Sequence, residues 1–117
     1  MTFNSEQLQG DRGRWLAEQT GDSELSGKAL DLLRHSYRYN YAYQWNWLGL
    51  PIIQLPQDIM AVQEIIWETK PDIVIETGIA WGGSVVLYAS LLQLIGKGKV
   101  LAVDLNLMEH VSKRIMS

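Results

Sequence analysis

Five residues of one short stretch, and a sixth downstream, have the types and spacing to hold a charged small molecule: Glu76, Gly78, Gly82, Gly83, Ser84 and Asp104. Glycines lack Cβ, so the chain around Gly78, Gly82 and Gly83 can turn tightly and bring its backbone close to a ligand. Ser84 stands where a helix would begin, as its cap, and the first N–H groups of that helix are unpaired donors at the positive end of a dipole. Such donors suit a carboxylate or a phosphate. Asp104 follows Gly78 by 26 residues and Ser84 by 20. At that spacing an acid ending the second strand of a βαβ unit commonly accepts hydrogen bonds from a ribose. The set reads as a nucleotide-type site on an α/β crossover. Plainer readings stand beside it: Glu76 as a cap on backbone donors, Asp104 as a solvated strand end, Ser84 as a helix cap alone.

The elements that must position these residues surround them. Ile73, Val74 and Ile75 form a β-branched run with no polar alternation, as in a strand covered on both faces of a parallel sheet. Val85, Val86, Leu87, Ala89, Leu91 and Leu92 continue a helix to the stop at Gly96-Lys97-Gly98, and residues 100–103 read as a second buried strand. Upstream, Asp58 is expected to cap a helix through Ile59, Met60, Val62, Ile65, Ile66 and Trp67. It ends at Lys70-Pro71, because a residue before proline is pushed out of the α region. Leu48-Gly49-Leu50-Pro51 and Leu55-Pro56 frame a connector, Ile52-Ile53-Gln54, that is not regular helix. Leu107, Met108, Val111 and Ile115 mark a further helix.

The first part of the chain is less regular. Residues 1–22 read as a loosely docked polar arm with Phe3, Leu8, Trp15, Leu16 and Ala17 as anchors, since Asp11-Arg12-Gly13-Arg14 interrupts any helix. Residues 23–38 form an amphipathic helix on Leu25, Ala29, Leu32 and Leu33, with Ser23 as N-cap. From 37 to 47, Tyr37, Tyr39, Tyr41, Tyr43, Trp45 and Trp47 alternate with other residues. That period of two predicts an extended segment with one aromatic face. It would pack as an edge strand, or close as a lid over a substrate. A nucleic-acid stacking platform is opposed by the scarcity of basic residues.

Composition sets the outer bounds. The 117 residues suffice for one small domain, and 47% hydrophobic with 20% charged content is ordinary for a globular protein. A net charge of −3 argues against nucleic acid or an anionic membrane as main partner. Without cysteine there is no disulfide, thiolate metal site or cysteine nucleophile. No signal peptide or apolar run of membrane-spanning length is seen, so a cytoplasmic location is expected. His35 and His110 lack a second ligand at metal spacing, and Glu64 reads as a helix-face carboxylate. A doubly wound sheet needs about five strands, and two are legible here. The expected class is therefore α/β: a partial Rossmann-like fold of two parallel strands with flanking helices (residues 57–117). A helical and aromatic-rich N-terminal region (1–56) precedes it, and the chain reads as the front part of a longer enzyme.

The glycine turn discriminates between ligands. Against G-x-G-x-x-G counted from Gly78, position three is Ala80 and position six is Gly83, a partial match; the Walker pattern fails for want of Gly-Lys-Ser/Thr. Glu76-x-Gly78-x-x-x-Gly82-x-Ser84 resembles motif I of S-adenosylmethionine-dependent methyltransferases, especially the catechol-type O-methyltransferases. The order and spacing of residues 47–58, Gln63-Glu64-Ile65-Ile66-Trp67, Lys70-Pro71-Asp72 and the glycine turn resemble the cephalosporin hydroxylase family, over residues 35–117. Despite its name, that family has a Rossmann-like methyltransferase fold and includes rhamnosyl O-methyltransferases. By this resemblance Gly78 lies against the methionine part of S-adenosylmethionine, Ser84 and nearby N–H groups hold its carboxylate, Glu76 sits near its amino end, and Asp104 holds the ribose. Trp81 stands where family members often carry histidine: polar contacts from that position would be lost here, whereas a shielding role could be served by tryptophan. The family's acidic Mg2+ cluster and acceptor-handling groups come from later strands, so no catalytic or metal residue is assigned. The implied acceptor is a hydroxyl of a glycolipid or natural product, and a homo-oligomer is compatible. Two other readings compete: an NAD-dependent oxidoreductase fragment, disfavoured by Ala80 at the middle glycine position, and a non-catalytic subunit that completes its sheet with a partner.

Overall fold

A computed structural model describes residues 4–106, 109 and 113. Phe3, His110 and the helix expected on Leu107, Met108, Val111 and Ile115 lie outside the described residues. The chain forms two compact units, Met1–Tyr39 and Asn40–Ser117. Among the described residues no helix is long and apolar enough to cross a membrane.

The first unit is a pair of helices, α1 (Ser5–Thr20) and α2 (Ser23–Ser36), followed by a 3-10 turn at Tyr37–Tyr39. The arm expected over residues 1–22 is in fact helical through Gly10 and Gly13. Local interactions offset part of the glycine cost. The Asn4 side chain accepts from the N–H groups of Glu6 and Gln7 at 3.1 and 3.2 Å, and Arg14 pairs with Asp11 one turn back at 2.9 Å. Such devices contribute about 1 kcal/mol for a cap and a few tenths for an exposed pair. The cap of α2 is Asp22 rather than Ser23, its carboxylate accepting from Leu25 N–H at 2.9 Å. Neither helix buries a residue.

The second unit begins with a 3-10 turn at Tyr41–Tyr43 and an antiparallel hairpin, β1 (Trp45–Trp47) and β2 (Leu50–Ile52), in register Trp45↔Ile52 and Trp47↔Leu50. Its two-residue turn places Leu48 and Gly49 at φ 48° and 81°, as the tight turns that match strand twist require. The period-two aromatic reading fails over residues 37–43. Asn40 adopts φ 49° and splits two 3-10 turns, closed in the second by Tyr43 N–H to Asn40 O at 2.8 Å. A strand needs a partner for its backbone groups, and β2 offers three residues, so only Trp45–Trp47 is extended.

Helix α3 (Pro56–Thr69) leads into β3 (Ile73–Thr77), helix α4 (Gly83–Ile95) and β4 (Lys99–Val103). β3 and β4 pair in parallel from Ile73↔Lys99 to Thr77↔Val103. α3 starts at Pro56, a residue suited to a first helical position, so Asp58 lies inside the first turn rather than at the cap. There its carboxylate still complements the helix dipole. The core is built on α4: Leu87 and Ile52 are each 1% exposed, with Leu50, Ile66, Val85 and Leu92 also buried. The expected burial of both sheet faces is not met. Among the described residues one face of the pair packs on α4, while Ile73, Ile75, Leu101 and Val103 on the other are about half exposed or more.

Candidate functional site

The site sits at the carboxyl ends of β3 and β4. The parallel ladder runs one bond past β3, Gly78 N–H donating to Val103 O at 2.7 Å. The loop then turns through three left-handed residues, Gly78 (φ 84°), Ala80 (φ 46°) and Gly82 (φ 88°). Ile79 between them is buried in a cluster with Val85, Val100 and Ala102. Its N–H donates to Asp104 Oδ2 at 2.6 Å, and Asn106 N–H donates to Oδ1 at 2.9 Å. Asp104 therefore latches the glycine loop to the exit of β4. Those backbone donors, Asn106 first and Ile79 next, hold its carboxyl below the usual carboxylate range.

Glu76 lies on the α4 side of β3. The Ser84 hydroxyl donates to its Oε1, so Ser84 is not the helix cap: Gly82 occupies that position, without a side chain to bond. Glu76 Oε2 is buried and has no hydrogen-bond partner among the described residues. Burial pushes the Glu76 carboxyl up, and the Ser84 bond pulls it part of the way back. One helical turn on, the Tyr88 phenol is raised by its own burial and then by the Glu76 charge. Ser84 and Tyr88 stand at i and i+4, which puts both on one face of α4.

Two hollows meet at this loop. One, of about 130 Å³, is lined by Glu76, Gly78, Trp81 and Ser84 from the expected set, and by Pro51 and Gln54 from the hairpin exit. The other, a groove of about 400 Å³, is lined by Thr77, Gly78, Val103, Asp104 and Leu105. Gly78 borders both, and a Cβ on it would meet no atom within 4 Å, so the backbone is bare toward open space. The Glu76 oxygen can accept from a hydrogen-bond donor, an ammonium among them, and the start of α4 offers N–H groups to an anion. The Asp104 oxygens retain lone pairs beyond those its loop uses. The residues fit a zwitterion joined to a nucleoside.

Gly83 also lines the smaller hollow, yet its missing side chain serves the hairpin: a Cβ would stand 2.3 Å from Pro51 O and 2.7 Å from Ile52 Cβ. Pro51, Gln54 and Tyr88 are neighbours of the site that sequence reasoning overlooked. Tyr88 was detectable from its spacing to Ser84. Gln54 carries no such signal: in the sequence it is the last residue of the non-helical connector Ile52-Ile53-Gln54.

Two parallel strands, a glycine loop and a crossover helix, preceded by helices and a hairpin, define a mixed α/β protein with its site at the strand ends. The chain belongs to the Rhamnosyl O-methyltransferase/CmcI family, whose model matches residues 39–117. That family implies a methyltransferase fold and S-adenosylmethionine as cofactor, in agreement with the resemblance carried by the glycine motif. The Rhamnosyl O-methyltransferase of Mycobacterium leprae is 36% identical over 76 residues, which cover 62% of this chain and 33% of that protein. The Rhamnosyl O-methyltransferases of Mycobacterium tuberculosis H37Rv and of Mycobacterium bovis BCG are each 39% identical over 59 residues, 50% of this chain and 24% of theirs. The chain thus spans a third or less of the length of these relatives. No solved structure matches it at a significant level.

Proposed function

We propose that this chain is the cofactor-binding portion of an S-adenosylmethionine-dependent O-methyltransferase acting on a sugar hydroxyl, as in a glycolipid. The observation that carries the reading is the buried Glu76 Oε2, without a hydrogen-bond partner among the described residues, in a hollow bordered by the bare backbone of Gly78. A carboxylate so placed takes a hydrogen bond from an ammonium group. The N–H groups at the head of α4 take the adjoining carboxylate, and Asp104 receives ribose hydroxyls while keeping its hold on Ile79. Trp81, 43% exposed at the rim, shields the hollow from water. The cofactor, when bound, supplies an electrophilic methyl group on a sulfonium; the residues named here bind and orient it. The sugar acceptor is inferred from the relatives' names.

Calorimetric titration of the purified chain with S-adenosylhomocysteine, with NAD as control, tests the proposal. Micromolar binding of the former alone is expected. Binding of NAD as tight or tighter, or binding of neither, overturns it.

A further inference from the structure

The hairpin is fixed to α4 at two points. Gly83 admits Pro51 and Ile52 to a distance no other residue would allow, and farther along α4 the Trp47 indole Nε1 donates to Ser90 Oγ at 3.1 Å. Ile52, at 1% exposure, anchors the end of β2. Two residues on, Gln54 N–H donates to Ala42 O at 3.0 Å, which pins the backbone there too. The Gln54 carboxamide makes no hydrogen bond among the described residues, and the residue lines the same hollow as Glu76 and Ser84.

At about 130 Å³ this hollow is smaller than the roughly 300–1,000 Å³ of a pocket that holds a whole ligand. Its size suits one end of a molecule, and the groove beyond Gly78 adjoins it. An ammonium has three N–H donors, and Glu76 Oε2 answers one of them. We propose that Gln54 is a binding residue for the amino-acid end of the cofactor, its carboxamide oxygen accepting a second ammonium hydrogen opposite Glu76. The inference rests on the S-adenosylmethionine reading and adds to it a wall that comes from outside the glycine motif. The bonded backbone at Gln54 is in place before the ligand arrives, so the ordering cost on binding is that of the side chain alone.

The test is titration of the full chain and of Gln54→Ala and Gln54→Glu with S-adenosylhomocysteine. 5′-Methylthioadenosine, which keeps the nucleoside and lacks the amino-acid end, serves as second ligand. Loss of a hydrogen bond to a charged group predicts S-adenosylhomocysteine binding about tenfold weaker or more in Gln54→Ala. Gln54→Glu, still presenting an oxygen, should hold the ligand at least as tightly as the natural chain. Methylthioadenosine binding should be the same in all three, which also shows that each is folded. Equal S-adenosylhomocysteine affinity in Gln54→Ala overturns the inference and leaves the cofactor reading intact. So does parallel loss of both ligands, which marks a structural role. Weakening in Gln54→Glu overturns the ammonium assignment. Failure of the natural chain to bind S-adenosylhomocysteine overturns the cofactor reading and the inference with it.

Discussion

The two units of the chain are held together by different physics. In Met1–Tyr39, helices are sustained by neighbours in sequence: Asn4 and Asp22 cap them, Arg14 reaches Asp11, Lys28 reaches Glu24 at 2.6 Å, and neither helix buries a residue. In Asn40–Ser117 the decisive contacts join distant residues: Trp47 to Ser90, Gly83 to Pro51, Ile79 to Asp104. Every residue of the candidate site belongs to the second kind of structure, and the family match at residue 39 starts beside the boundary between the units. Geometry that must be kept to a few tenths of an ångström is built where burial and long-range bonds over-determine it. The helical pair, stabilised turn by turn, is free of that demand.

Three substitutions would break or sharpen the contrast. Gly83→Ala should have the largest effect, since its methyl group would meet the Pro51 carbonyl, which cannot swing aside as a side chain can. Overpacking of this sort predicts about 3 kcal/mol of destabilisation, read from urea unfolding, together with lost S-adenosylhomocysteine binding as the hairpin is forced off α4. An unchanged midpoint would mean that hairpin and helix are not rigidly joined.

Next comes Glu76→Gln, through its pH dependence. Burial raises the folded-state pKa of Glu76 above its ordinary 4.5. Its stabilising contribution is therefore full below the ordinary value, where the carboxyl is protonated in both states. It is lost as pH rises through the raised value. The natural chain should lose stability relative to Glu76→Gln as pH climbs from about 4 toward neutrality; parallel curves would contradict the assignment. In the same variant S-adenosylhomocysteine binding should weaken even where stability is gained.

The smallest effect is expected from Asp22→Ala, which removes the cap of α2. It should cost about 1 kcal/mol of local helix stability, visible as reduced helical circular dichroism, with cofactor binding unmoved. A loss of binding would show that the first unit takes part in the site.

Sequence reasoning reached the strand, glycine turn, helix and second strand because each is written in local chemistry: Ile73-Val74-Ile75, the left-handed glycines, Gly96 at a helix end, Asp104 after a strand. It erred where a residue had two partners to choose from. Ser84 is an excellent cap by type, yet a carboxylate across the β3–α4 turn takes its hydroxyl. Tyr37 to Tyr43 alternate as a strand would, but no partner strand extends that far. Gly10 and Gly13 weaken α1 without ending it, because caps and ion pairs close by compensate in part. The apolar run of β3 also speaks for cover on two faces, and the described residues supply it on one.

That last feature governs how the chain behaves in the test tube. Ile75 is 68% exposed, and Leu101 and Val103 beside it are more than half exposed. Water's rejection of such a face weakens on cooling and strengthens with sulfate or phosphate in the buffer. Storage temperature and choice of salt should therefore act on this protein as reagents: cold, sulfate-free solutions are expected to keep molecules apart, and warming or salting to favour association through the face that the described residues leave exposed, which light scattering would register.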